Sequence, residues 1–132
     1  MKILAPISVG EIFDKLSILQ IKEQKISEPT KLSNVKSEIN ELKKSIIDFE
    51  IDQQSYSNLL NGLKAKLFET NSKLWDIEDA LRKLENEKIF EQEFISLARQ
   101  VYITNDERAE IKKEINKLTG SSIIEEKYYS EY

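Results

Sequence analysis

An all-α fold is predicted for this 132-residue chain: two antiparallel helical hairpins with coiled-coil-like heptad seams, forming a four-helix bundle. Two observations predict it. Long segments carry apolar residues at alternating three- and four-residue spacing, the repeat that keeps one stripe of a helix against a partner helix. The composition, 39% hydrophobic and 33% charged, is also lean for a compact globule and suits helix pairs that bury only a stripe. The length corresponds to a single domain over 1–132.

The first helix is predicted over about 9–26. Ser8 and Glu11 have the spacing of a capping box, and Ile7 and Ile12 that of a hydrophobic staple. Its apolar residues, Val9, Ile12, Phe13, Leu16, Ile18, Leu19 and Ile21, cover more than one stripe, so it is expected to be packed on several sides. Ser27-Glu28-Pro29-Thr30 ends it, because proline disfavours helix at the residue before it. The second helix, about 31–49, has one unbroken stripe (Leu32, Val35, Ile39, Leu42, Ile46, Phe49) and reads as peripheral.

Ile51-Asp52-Gln53-Gln54 reads as a short connection, with Ser55 capping a third helix over about 56–87. Its seam is Tyr56, Leu60, Leu63, Leu67, Thr70, Leu74, Ile77, Leu81 and Leu84, and Gly62 weakens it slightly. Ile89 and Phe90 are placed to anchor the following turn. The fourth helix, about 91–118, carries Phe94, Leu97, Val101, Thr104, Arg108, Ile111, Ile115 and Leu118. Thr104-Asn105-Asp106-Glu107 resembles a cap, yet the heptad passes through it without a skip, so one continuous helix is expected. Gly120 is the expected left-handed stop, and the tail 121–132 has Ile123, Ile124, Tyr128 and Tyr129 with which to dock.

Composition excludes several classes of function. Cysteine and histidine are absent, which removes disulfides, thiolate or imidazole zinc, and the usual nucleophile–histidine pairs. No metal and no cofactor is expected, and a binding role is favoured over an enzyme. Net charge is −4 with pI about 5.1, and the basic residues are interspersed with acids. A stripe able to displace counterions from nucleic acid is missing, as is a basic amphipathic membrane helix. The N-terminal apolar stretch is too short for a signal peptide, so a cytoplasmic location is expected.

Candidate site residues follow from the interrupted seams. Helices of a hairpin pair residues at a nearly constant index sum. With a turn near Lys88, Thr70 and Asn71 face Thr104, Asn105 and Arg108, where the apolar stripe breaks. Lys22 reaches that level if helix one runs alongside. An arginine in such a layer must be paired or hydrated. The layer therefore reads either as a pocket for a small anion or sugar, with Arg108 and Lys112 one turn apart, or as a polar layer that fixes helix register. A second cluster, Glu11, Asp14, Lys15 and Lys22, contains the i,i+4 pair Glu11–Lys15. Asp76 and Asp79, beside the single Trp75, share a helix face but read as solvated surface.

Several blocks together resemble a family of short bacterial and phage-type proteins catalogued as a domain of unknown function. These are Ile3-Leu4-Ala5-Pro6-Ile7-Ser8-Val9-Gly10-Glu11 with Asp14-Lys15, Leu74-Trp75-Asp76-Ile77-Glu78-Asp79, Tyr102-x-Thr104-Asn105-Asp106-x-Arg108, Lys112 with Glu114-Ile115-Asn116, and Thr119-Gly120-Ser121 with Glu125-Glu126-Lys127-x-Tyr129. The resemblance implies no activity. It implies a link to surface-polysaccharide pathways, and it gathers the polar clusters singled out above.

Two functions are therefore expected to compete. One is a helical binding or scaffold protein that acts through protein contacts as a homodimer. The other is a small ligand-binding protein or enzyme acting on a phosphorylated or sugar substrate. The ligand-binding residues would be Glu11, Lys15, Lys22, Thr70, Asn71, Thr104, Asn105, Arg108 and Lys112. The homodimer is expected because helix three outreaches helix one, leaving apolar residues of 75–98 uncovered.

Overall fold

A computed structural model describes residues 1–52 and 54–132, without the side chains of 50–54. It contains four α-helices: α1 (Val9–Lys25), α2 (Pro29–Asp52), α3 (Ser57–Glu87) and α4 (Gln92–Thr119). No strand occurs among the described residues. The all-α bundle expected from the spacing is thus observed.

Local chemistry sets the helix ends. The Ser8 hydroxyl accepts from the Glu11 amide at 3.0 Å, capping α1. Only this half of the expected capping box forms, because the Glu11 carboxylate turns instead to Lys112. α2 starts two residues earlier than expected. Pro29 is its first residue, and the Glu28 carboxylate accepts from the amides of Thr30 (3.0 Å) and Lys31 (2.8 Å). α2 also runs on through Ile51 and Asp52, which had read as a connection; Gln53 lies outside the described residues. Gln54–Tyr56 is a 3-10 turn, and the N-cap of α3 is Tyr56 with no side-chain cap, so Ser55 does not take that role.

α3 ends at Lys88, which takes the left-handed conformation (φ 56°), and the Ile89 amide closes the turn on the Leu84 carbonyl at 2.9 Å. α4 is continuous through Thr104–Glu107. It stops at Gly120 (φ 66°), where the Ser121 amide reaches the Asn116 carbonyl at 2.9 Å.

The hairpin of α3 and α4 is the backbone of the molecule. α1 lies against both of its helices, parallel to α3, and α2 packs back along α1. α1 is buried on several sides as expected: Ile12, Phe13, Leu16, Leu19 and Ile21 are all nearly inaccessible. They meet Val35, Ile39 and Ile46 of α2, Leu60 and Leu67 of α3 and Ile115 of α4 in one core. Phe13 and Phe49 pack with tilted rings 6.2 Å apart.

A Cβ on Gly62, inside α3, would meet nothing within 4 Å. Gly62→Ala is expected to raise the unfolding free energy by about 0.5–1 kcal/mol through helix propensity alone. Urea unfolding monitored by circular dichroism checks this.

Candidate functional site

The polar layer forms where α1, α3 and α4 meet. Asp14 lies on α1 between Phe13 and Leu16 and is 1% exposed. A carboxylate so deep needs partners on every oxygen. Arg108 of α4 supplies a two-pronged grip: Nε donates to Asp14 Oδ1 at 2.9 Å, and Nη2 donates to Oδ2. Asn71 of α3 donates through Nδ2 to Asp14 Oδ1 and to the Ser17 hydroxyl, both at 2.9 Å. Lys112, one turn along α4 from Arg108, pairs with Glu11 and stands 3.9 Å from Asp14 Oδ2.

Charge states follow from this geometry. Burial pushes the Asp14 carboxyl up, but hydrogen bonds from Arg108 and Asn71 and the charges of Arg108 and Lys112 outweigh it and hold it below the usual carboxylate range. The Asp14 hydrogen bond in turn raises Arg108, against the opposing effect of burial. Arg108 stays 29% exposed. Its remaining nitrogen, Nη1, has only a long 3.4 Å contact to Asn105 Oδ1.

That nitrogen's residue lines a cleft between α4 and the tail. The cleft has a volume of about 1150 Å³, above the roughly 300–1,000 Å³ typical of small-molecule sites. Arg108, Lys112 and Lys127 bring three cations to it; Tyr102, Tyr129 and Tyr132 bring rings; Asn105, Asp106, Glu110 and Glu131 bring amide and carboxylate oxygens. A smaller cleft, about 640 Å³, opens where α3 and α4 run side by side. Lys66 is its one cation against Glu69, Asp106, Glu107 and Glu110, which disfavours an anion there.

The tail runs back along α4 and completes the larger cleft. The Ser8 hydroxyl donates to Glu125, which also accepts from Asn116 Nδ2 at 3.3 Å. The Ser121 hydroxyl accepts from the Val9 amide at 3.2 Å. Burial pushes the Glu125 carboxyl up, but Ser8, its own amide, the Lys112 charge and Asn116 keep it below its ordinary value. Further along, Lys127 and the Tyr132 hydroxyl both bind Asp106, and Tyr132 meets Tyr102 edge-on with centroids 5.2 Å apart. The tail is therefore held by polar and aromatic contacts. The apolar residues expected to dock it stay in solvent: Ile124 is 52% and Tyr128 98% exposed.

Of the residues proposed from sequence, Glu11, Asn71, Asn105, Arg108 and Lys112 come together. Thr70 and Thr104 are buried in the same stretch of the hairpin; Thr104 Oγ1 has no hydrogen-bond partner, but neither residue lines the larger cleft. Lys15 is exposed and does not form the expected pair with Glu11, which Lys112 takes. Lys22 lies eight residues, about 12 Å, beyond Asp14 along α1 and shows no ion pair or side-chain hydrogen bond among the described residues.

Sequence reasoning put Asp14 in the second cluster but not among the ligand-binding residues, and it left Ser8, Asn116, Glu125 and Lys127 outside the site. A signal for Asp14 was present: a carboxylate set directly between two core positions of the most apolar helix. Among the described residues, no group of three or more carboxylates is placed to hold a metal ion, and no helix is long and apolar enough to cross a membrane.

Comparison with known proteins finds a match over residues 1–132 to a Family of unknown function (DUF6165). No curated protein and no solved structure matches the chain.

Proposed function

We propose, for a chain that belongs to the DUF6165 family of unknown function, a binding role: the cleft between α4 and the tail takes a phosphorylated sugar. The observation that carries this is Arg108. The buried Asp14 carboxylate clamps Nε and Nη2, so the guanidinium is oriented before any ligand arrives, and Nη1 has a long contact to Asn105, which lines the cleft with Arg108. A fixed guanidinium loses little freedom when it binds an anion. Lys112 and Lys127, held by Glu11 and Asp106, also line the cleft, and a phosphate would compete with those carboxylates for them. Tyr102, Tyr129 and Tyr132 offer flat surfaces for a sugar ring, and Asp106, Glu110 and Glu131 accept hydrogen bonds from hydroxyls. A plain register layer would need the Asp14–Arg108 pair but not the cleft beside it.

Calorimetric titration tests the reading with glucose 1-phosphate, UDP-glucose, inorganic phosphate and glucose as probes. The phosphorylated sugars are expected to bind more tightly than phosphate, and glucose not to bind. Lys127→Ala and Tyr129→Ala, both outside the core, should weaken binding about tenfold each while leaving the helix content measured by circular dichroism unchanged, because each removes one charge-assisted or ring contact. Absence of binding by any phosphorylated probe to the folded wild type would overturn the proposal.

A further inference from the structure

α1 stops at Lys25, whose Nζ lies 4.0 Å from Asp76 of α3. Beyond that level the hairpin continues to its turn at Lys88 with no third helix beside it. The change is visible in the seam. Leu67 and Ile115, under α1, are fully buried. Leu81, Leu84, Phe94 and Leu97, in the same seam further out, are only half-buried. Phe90 is 50% and Ile95 48% exposed, and Phe90 meets Phe94 edge-on at 5.3 Å. The seam of this two-helix projection is thus less covered than the seam under α1, and uncovered apolar groups of this kind mark interfaces.

The face involved can be followed by periodicity. Asn71 points to α1, since it binds Asp14 and Ser17. Trp75, Glu78 and Arg82 follow it at steps of four, three and four residues and so continue the same face past the end of α1. On α4, Arg108 marks the α1 face, and Val101 and Phe94 continue it seven and fourteen residues earlier.

We propose that this face is covered by a second copy of the chain, the two projections lying antiparallel about a twofold axis beside Leu81 and forming a four-helix bundle. The charge pattern fits this occupant. In antiparallel self-pairing Glu78 of one copy faces Arg82 of the other, and the reverse. The lengths fit as well. Glu78 and Arg82 sit near the middle of the projection, between Asp76, where α1 ends, and Lys88, where the hairpin turns. Each tip then reaches the space left beyond the other copy's α1, close to its Trp75. The pairing is centred on Leu81 of α3, which does not line the ligand cleft.

Light scattering at micromolar concentration reads the mass: twice the 15.4 kDa of one chain is expected. Because the chain has no cysteine, the Leu81→Cys variant should cross-link through a disulfide under mild oxidation, while Gly62→Cys, at the base of α3, should not. Arg82→Glu and Phe90→Glu, at exposed positions, should reduce the mass to that of one chain at unchanged helicity. Emission of the single Trp75 should shift to the red in those variants. A monomeric wild type at 100 micromolar overturns the proposal. So does a dimer that keeps its mass in both charge variants, or one that cross-links at Gly62→Cys and not at Leu81→Cys.

Discussion

Arg108→Leu is expected to cost about 3 kcal/mol of stability at neutral pH, because it leaves the buried Asp14 carboxylate without its main partner. The reverse change is milder: with Asp14→Leu, the guanidinium is 29% exposed already and can turn to water. The effect should depend on pH with a definite sign. In the wild type the Asp14 carboxyl titrates below its unfolded value. Its contribution is thus complete above about pH 4, the unfolded value, and is lost as pH falls through the lower folded value. In Arg108→Leu, burial dominates and the folded value rises above the unfolded one. Stability is then greatest below about pH 4 and falls as pH rises through that folded value. Urea unfolding at pH 7 and pH 4 should show the gap between wild type and variant narrowing at the lower pH. The double variant Asp14→Leu with Arg108→Leu should recover most of the loss, since an apolar pair can replace a buried ion pair. Equal stability of Arg108→Leu and wild type at pH 7 would mean that the pair does not form.

Gly10→Ala should be comparably damaging, at about 3 kcal/mol, for a steric reason. A Cβ there would stand 2.5 Å from the Lys112 carbonyl oxygen and 2.9 Å from Asn116 Oδ1. The first is backbone in the middle of a helix and has no room to retreat. The second accepts the Gly10 amide at 2.7 Å, so moving it breaks a buried hydrogen bond. α1 would be pushed off α4, and with it the Glu11–Lys112 pair and the anchoring of the tail through Ser8. Gly62→Ala, with open space at its Cβ, has the opposite sign. Thermal unfolding of the two variants side by side separates close helix approach from helix propensity.

Helix positions were legible because each depends on local chemistry. Ser8, Pro29 and Gly120 act within a turn of the residue they affect, and the heptad stripes report which face is buried. The end of α2 was not legible, since Ile51-Asp52 has no breaker and helix there is neither favoured nor opposed locally. The polar layer was partly legible. Constant index sum in a hairpin placed Asn71 opposite the Thr104–Arg108 stretch, and breaks in the stripe marked Arg108. The sequence does not say which acid answers Arg108. Asp14 stands 94 residues away, and its role depends on how α1 lies against the hairpin. Glu11 was paired by spacing with Lys15, but that is an exposed i,i+4 contact worth a few tenths of a kcal/mol. The pair with Lys112 is largely shielded from water and displaces it. The tail was expected to dock through its apolar residues. Its contacts are Glu125, Lys127 and Tyr132, whose partners Ser8, Asn116, Asp106 and Tyr102 come together only in the fold.

The central claim is that Asp14 holds Arg108 so that its remaining edge serves an anion in the cleft. The side-chain Nε–H resonance of Arg108, followed by nitrogen NMR during titration with glucose 1-phosphate, tests it most directly. The wild type should show a slowly exchanging Nε–H already locked by Asp14 before ligand is added. On titration, the Arg108 Nη signals should shift saturably, together with those of Lys112 and Lys127. A guanidinium that exchanges freely without ligand, or one unmoved while the sugar phosphate binds elsewhere on the protein, would contradict the account.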